Sequence, residues 1–273
     1  MSVNHQYAGF LNSKLLWKDS SLFDLPQFDF QHNHEIINTE IAIKIPENEV
    51  LGKRIEQFFD YFLNSSKDYQ TLLKNLQIFQ NKITIGEIDF LVKDLLQKQV
   101  LHIELIYKFY LYDPNISDAS LERWIGPNRK DSLLEKVTKL KEKQLPLLHQ
   151  PETIARLQEF DISTNSIIQK VCFFGNLFIP LSYQNKQLPH INNGCIVGFW
   201  IRAEEFKSEK YGSNVYHIPE KKNWMVHPKY NTTWHTFDHV SEELNKQLSN
   251  KKSPLLWIKS NEDSFSKCFV VWW

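Results

Sequence analysis

Apolar positions in this chain recur with two periods, and the changes between them divide its first two thirds into elements. Glu40-Ile-Ala-Ile-Lys-Ile45 alternates every second residue and stops at Pro46, which predicts a strand. From residue 49 to 65 the period lengthens. Leu51, Ile55, Phe58, Phe59 and Phe62 fall at i, i+4, i+7, i+8 and i+11, laying one apolar stripe on a helix that ends near Asn64-Ser-Ser66. Three strands follow at about 72 to 80, 83 to 93 and 100 to 112; the second carries Ile83, Ile85, Ile88, Phe90 and Val92, and the third is dense in β-formers from Val100 to Leu111. The short polar turns Gln80-Asn-Lys82 and Leu95 to Gln99 suit hairpins rather than crossovers.

Asp113-Pro-Asn115 and Gly126-Pro-Asn128 punctuate the chain as turns. Asn128 is placed to cap a helix from 129 to 144, with Asp131 favouring its positive end, Leu133, Val137, Leu140 and Gln144 on the inner face, and Pro146 after its end. A helix around 151 to 160 and a strand near Ile167 to Phe174 complete the order helix, three strands, helix, strand. Residues 1 to 38 mix aromatics with Pro26, Asp, Asn and His and show neither period, so they read as a loop-rich arm. Beyond residue 180, residues 236 to 249 predict a helix and short strands are expected near 195 to 201, 255 to 259 and 268 to 272. The whole is an α/β fold with a mixed central sheet flanked by helices. It forms one domain over 1–273, made of an arm (1–38), a core (40–180) and an aromatic-rich C-terminal α/β extension (181–273), without repeats or a linker.

Composition narrows the classes. With 42% apolar and 14% aromatic residues the chain is globular rather than disordered. Its 32 basic and 32 acidic residues cancel, so any attraction to nucleic acid or anionic lipid must be local. Cys172, Cys195 and Cys268 are odd in number and far apart, which fits neither a disulfide framework nor paired zinc ligands and predicts a reducing, cytoplasmic setting. No signal-peptide pattern opens the chain and no apolar run approaches the ~20 residues that span a bilayer. A phosphate-binding glycine loop, a dinucleotide fingerprint and a serine elbow are all missing, so an activity needing a nucleotide cofactor is not expected.

Chemistry concentrates between Glu87 and Lys108. Strand alternation puts Glu87 and Asp89 on one face, and His102, Glu104 and Lys108 on one face of the next strand, so Asp89, Glu104 and Lys108 can converge. Carboxylates inside a sheet need a counter-charge, and their oxygens suit Mg²⁺ or Mn²⁺, which can lower the pKa of a water beside a phosphate. A structural ion-pair network is the alternative reading of the same spacing. On the helix at 129 to 144, Arg129, Lys136 and Lys143 recur every seven residues, and with Lys139 they offer a surface for phosphates or simply a solvated face. His235 and His239 with Asp238, His227, and His32 with His34 are weaker metal candidates. The Trp200 to Trp234 aromatics interleaved with lysines could stack single strands or fill a core.

The order helix, three strands, helix, strand, with an acid on the second strand and Glu then Lys on the third, resembles the PD-(D/E)XK restriction-endonuclease-like core. That resemblance implies a metal-dependent nuclease hydrolysing phosphodiester bonds in DNA, with Asp89 and Glu104 on the metal, Glu56 of Leu51-Gly-Lys-Arg-Ile-Glu56 supporting it, Lys108 positioning water and Gln144 ordering the site. It departs from the group's pattern in one respect. Ile106 holds the usual lysine position and Lys108 comes four residues after Glu104, about 7 Å further along a strand. A catalytically silent member that binds nucleic acid or a protein partner is the alternative. The strings LGKRIEQFF, NLQIFQNKITIGEIDFLV, LHIELIYKFYLYDP, WIGPNRKDSLLEKVTKL and KQLPLL resemble, more closely, a bacterial family of domains of unknown function, family 1853.

Overall fold

The computed structural model describes residues 1–18, 22–28, 30, 41–184 and 186–273. In its first half the chain forms α1 (Val3–Leu11), β1 (Lys14–Leu15), α2 (Leu51–Ser65), β2 (Tyr69–Gln80), β3 (Ile83–Asp94), β4 (Gln99–Tyr112), β5 (Trp124–Ile125) and α3 (Leu133–Lys139). Then come α4 (Pro151–Gln158), β6 (Ile167–Pro180), β7 (Ile196–Arg202), α5 (Ser208–Tyr211), β8 (Val215–His217), α6 (Phe237–Ser249), β9 (Leu255–Lys259) and β10 (Phe265–Val271).

All the strands join one ten-stranded mixed sheet whose main path is β2-β3-β4-β6-β7-β10-β9-β8. β2, β3 and β4 pair antiparallel through the two expected hairpins; β4, β6, β7 and β10 run parallel; β9 and β8 return antiparallel. Helices cover both faces, so the central strands are apolar on both sides: every residue of β6 from Val171 to Ile179 is buried. On β4, Leu101, Ile103, Phe109 and Leu111 enter a core with Phe10 of α1 and Phe58 and Phe59 of α2. Ile106 and Tyr110 enter the opposite core with Leu133 and Val137 of α3 and with Leu140. Two-residue alternation thus delivers alternate β4 side chains to two different layers.

Several expectations are corrected. The arm contains α1, where the Ser2 hydroxyl accepts from the His5 amide and Gln6, Tyr7, Phe10 and Leu11 are buried. Its buried stripe covers barely two turns, too short to stand out as a period. Residues 41 to 45 form no strand, although Ile41, Ile43 and Ile45 still pack on the core; Glu40 lies outside the described residues. No neighbouring strand edge takes their backbone. Asn128 does not cap the following helix. Its Oδ1 accepts from the Ser253 amide at 2.8 Å, Arg129 adopts a left-handed φ of 56°, and Ser132 caps α3 instead. Helical structure continues past α3 as a π-turn over Leu140–Gln144 and a 3₁₀ turn over Leu145–His149.

A buried guanidinium ties the N-terminal helix to this frame. Arg54 of α2 is 1% exposed and donates to Gln6 Oε1 (3.0 Å) and to the carbonyls of Pro46 (2.6 Å), Glu47 (2.8 Å) and Glu49 (2.9 Å). Gln6 Nε2 in turn donates to Asn223 Oδ1 at 2.8 Å. Among the described residues no helix is long and apolar enough to cross a membrane.

Candidate active site

The site is built where a β-ladder ends. β3 and β4 pair from Asp94↔Gln99 as far as Phe90↔Ile103, and the next two residues would be Asp89 and Glu104. There the strands part, and Asp89 Oδ2 takes the Leu105 amide hydrogen, at 2.9 Å. A side chain thus satisfies the donor next to the end of the ladder. Glu104, buried with 0% exposure, is fixed from both sides. Its Oε1 lies 3.0 Å from His102 Nε2, and its Oε2 accepts from Gln144 Nε2. The partner of His102 Nδ1 decides the tautomer. Gln169 Nε2 donates to the Leu145 carbonyl at 2.7 Å, so this nitrogen also faces His102 Nδ1, 3.0 Å away, as a donor. Nδ1 accepts, leaving Nε2–H to donate to Glu104.

Gln144 reaches Glu104 because of the π-turn. One extra residue in the turn from Leu140 to Gln144 shifts the helix face, and π-turns of this kind are concentrated at functional sites. The other end of the amide, Oε1, accepts from Lys136 Nζ at 2.7 Å. Gly86 of β3 lets the following 3₁₀ turn approach, since a Cβ there would stand 2.5 Å from Leu147 Cδ2.

The electrostatics are those of a crowded carboxylate pair. Burial pushes the Asp89 carboxyl up to about 7; Glu104 and Glu56 push it the same way, and the Leu105 amide and Lys136 oppose them. Burial lowers the Lys136 pKa against the pull of Glu104 and Asp89, with Lys108 and Lys139 lowering it further. Glu56 of α2 accepts from Lys53 Nζ (2.7 Å) and Asn75 Nδ2 (2.9 Å), and Lys53 also approaches Glu87 at 3.7 Å. Asn75 has a left-handed φ of 52° in mid-strand β2, and its buried Oδ1 has no hydrogen-bond partner. A strained residue with an orphaned acceptor beside paired carboxylates is a local cost that a ligand can relieve. Among the described residues no three His, Cys, Asp or Glu side chains converge. Oxygen donors from two carboxylates fit Mg²⁺ or Mn²⁺, because Mg²⁺ keeps several waters and takes few protein ligands.

With this geometry in view, comparison with known families adds one result. A family model described as a domain of unknown function (DUF1853) matches residues 24–271. The chain belongs to that family. No curated protein matches it, and no solved structure does.

In this DUF1853 protein, Lys108 stands apart from the carboxylate pair. Four residues along β4 is about 13 Å, and its ammonium is held at 2.7 Å by Asp131 Oδ2. The Gly126 turn brings Asp131 there: the Gly126 amide donates to the Asp131 carbonyl at 2.7 Å, and a Cβ on Gly126 would lie 2.1 Å from Asp131 Oδ1. Lys136 is the lysine whose charge acts on both Asp89 and Glu104. Arg129 lies outside α3, exposed but 3.4 Å from Asp113 Oδ2 and stacked over Trp273, and Lys136 is half-buried against Gln144, which leaves Lys139 and Lys143 exposed on the helix, so the expected basic stripe is broken. A cleft of about 530 Å³ lies beside the acids, with Glu56, Lys108, Asp131, Lys136, Lys221 and Trp224 in its walls; Asp89 and Glu104 themselves do not line it.

Other candidates separate from this centre. The rings of His235 and His239 stack at 4.4 Å, and neither joins a ligand cluster among the described residues. His32 and His34 lie outside the described residues. Trp200 and Trp224 are taken up in the aromatic core against Trp273, Phe109 and Phe269. Gln169 and Asn75 carry no spacing signal, and Lys136, expected on the surface, is drawn inward by the Gln144 amide.

Proposed function

We propose that this protein is a Mg²⁺- or Mn²⁺-dependent nuclease acting on DNA, with Asp89 and Glu104 as metal ligands and Lys136 in place of the strand lysine. The observation that carries this reading is the parting of β3 and β4 at Asp89 and Glu104, with Gln144 of the π-turn bonded to Glu104 and, at its other end, to Lys136. The order α2, β2, β3, β4, α3, with β6 parallel to β4, supports a PD-(D/E)XK-like core.

A divalent cation at this pair supplies charge neutralisation at a phosphodiester and acidifies water. The protein's own groups do the rest. His102 and Gln144 hold Glu104 in one orientation, and the Leu105 amide does the same for Asp89. Lys136, tethered by Gln144, is placed to donate to a phosphate oxygen or orient the attacking water, and burial lowers its pKa. Glu56 and Asn75 close the site on the α2 side. Lys108 and Lys221 in the cleft walls meet neighbouring phosphates.

A second reading is favoured by one observation: Lys108 is committed to Asp131, so the family's strand lysine is neutralised and the fold can serve as a silent nucleic-acid-binding or protein-binding module. Cleavage of labelled single- and double-stranded DNA and RNA with Mg²⁺ or Mn²⁺, beside folded Asp89→Ala, Glu104→Ala and Lys136→Met proteins, separates the two. Metal-dependent cleavage lost in all three variants supports the nuclease. No cleavage, with thermal stability indifferent to metal, supports the silent module.

A further inference from the structure

A second cavity, of about 460 Å³, lies between the C-terminal end of α1, Asn176 within β6, the starts of β7 and β10, and the segment around residue 228. Its lining contains Lys267, Lys229 and His227 and no acidic residue. Lys267 belongs to β10, where the next four residues, Cys268 to Val271, are all buried. Its Nζ donates to the Trp224 carbonyl at 2.8 Å, and it makes no ion pair among the described residues. Of the three ammonium protons, two are left for another acceptor. Asn176 of β6, 5% exposed, lines the same cavity; its Nδ2 makes no well-formed hydrogen bond, and the side chain interacts with the Tyr107 hydroxyl behind it. Nearby Ser13 is already committed, its Oγ bonded to the Gly9 carbonyl (2.9 Å) and to the Tyr107 hydroxyl (2.6 Å).

Withdrawing an ammonium from water without a counter-charge, beside an amide whose Nδ2 makes no well-formed hydrogen bond, is costly unless a ligand completes both. Burial alone pushes the Lys267 pKa down to about 7. We propose that this cavity binds a phosphomonoester, with the Lys267 ammonium and the Asn176 amide donating to its oxygens and Lys229 at the rim. A phosphate offers enough acceptor oxygens for all the free donors, and the cavity lies in the size range of small-molecule sites. The shared chemistry is the phosphate group, which either a small phosphorylated metabolite or the 5′-phosphate end of a nucleic acid can present. This inference does not depend on the reading of the Asp89 site.

The test is calorimetric titration of the full chain, with chelator present, using inorganic phosphate, phenyl phosphate, sulfate, and matched 5′-phosphoryl and 5′-hydroxyl oligonucleotides. Saturable one-to-one binding of phosphate and phenyl phosphate is expected, weakened at least tenfold by Lys267→Met and several-fold by Asn176→Leu, and unchanged by Asp89→Asn. Met keeps most of the length of the side chain and removes the charge, so the variant should stay folded, which its melting transition verifies. Sulfate keeps its charge between pH 6 and 9, so loss of sulfate binding across that range reports protein groups. Lys267, His227, Lys229 and Tyr230 are the titratable groups facing the cavity, and the loss should persist in His227→Gln and Tyr230→Phe and vanish with Lys267→Met. Preference for the 5′-phosphoryl oligonucleotide identifies a nucleic-acid end, and equal behaviour of the two oligonucleotides identifies a small ligand. No saturable binding of any phosphate probe at millimolar concentration, or binding indifferent to Lys267→Met, overturns the proposal.

Discussion

Replacing Asp89 by Asn should make the protein more stable while removing its ability to hold a metal. The carboxyl is pushed from 3.8 up to about 7 by burial first and by Glu104 second. For an acid whose folded pKa is raised, the folded state binds the extra proton between the two values. Stability therefore falls as pH rises from about 4 to 7, and the full penalty persists above 7. At about 1.4 kcal/mol per unit the penalty is about 4 kcal/mol. Asn keeps an oxygen for the Leu105 amide but loses the charge assistance, worth about 1 kcal/mol. A net gain of about 3 kcal/mol remains at pH 8, a rise of roughly 5–10 °C in the melting midpoint of a chain this size. At pH 5 the gain should shrink to about 1 kcal/mol. Thermal and urea unfolding of both proteins at the two pH values, with and without Mg²⁺, measures this. Mg²⁺ should narrow the gap by stabilising the wild type alone. A variant less stable than wild type at pH 8 would refute the reasoning, because it would mean that the Asp89 charge is already compensated without a cation.

Lys136→Met should lower cleavage by about 10²-fold or more while Lys108→Met changes it by only a few-fold, as read from single-turnover rates; the reverse order would return the role to the strand lysine. Mg²⁺ affinity should rise steeply as pH increases towards about 7 and level off above it, because the cation must displace the Asp89 proton; titration calorimetry across that range checks the slope. Arg54→Met should destabilise the protein by about 3–5 kcal/mol in urea unfolding, since three carbonyls and the Gln6 oxygen lose their donor in a buried setting.

Much of the frame was legible in the sequence because period reports burial. The hairpins of β2, β3 and β4 followed from alternating apolar residues bounded by polar turns, and α2 from one stripe of aromatics. The acids of the site were legible for the same reason, as charges at positions where a strand should be apolar. What escaped depends on partners distant in the chain. α1 is set by a cap and four buried residues rather than by a long stripe. The strand expected at 40 to 45 had the right pattern but no edge to join. Gln144 was legible as an inner-face residue and does reach Glu104, but its second contact, to the Lys136 ammonium, depends on the turn after α3 and left no signal in a helical wheel. Lys267 did leave a signal, a lone cation leading into the apolar run Cys268-Phe-Val-Val271, which the emphasis on carboxylates passed over.

The Arg54 junction bears on how the molecule is made. Its guanidinium joins α1 to the loop before α2, and Gln6 passes the connection on to Asn223, 217 positions away in sequence. Closing so long a loop is slow, and it cannot begin until most of the polypeptide has emerged from the ribosome. α2 carries both Arg54 and Glu56, so the α2 wall of the cleft settles only after the carboxylate strands have been synthesised and residue 223 has arrived. A nascent chain therefore completes this site late, near the end of its own translation.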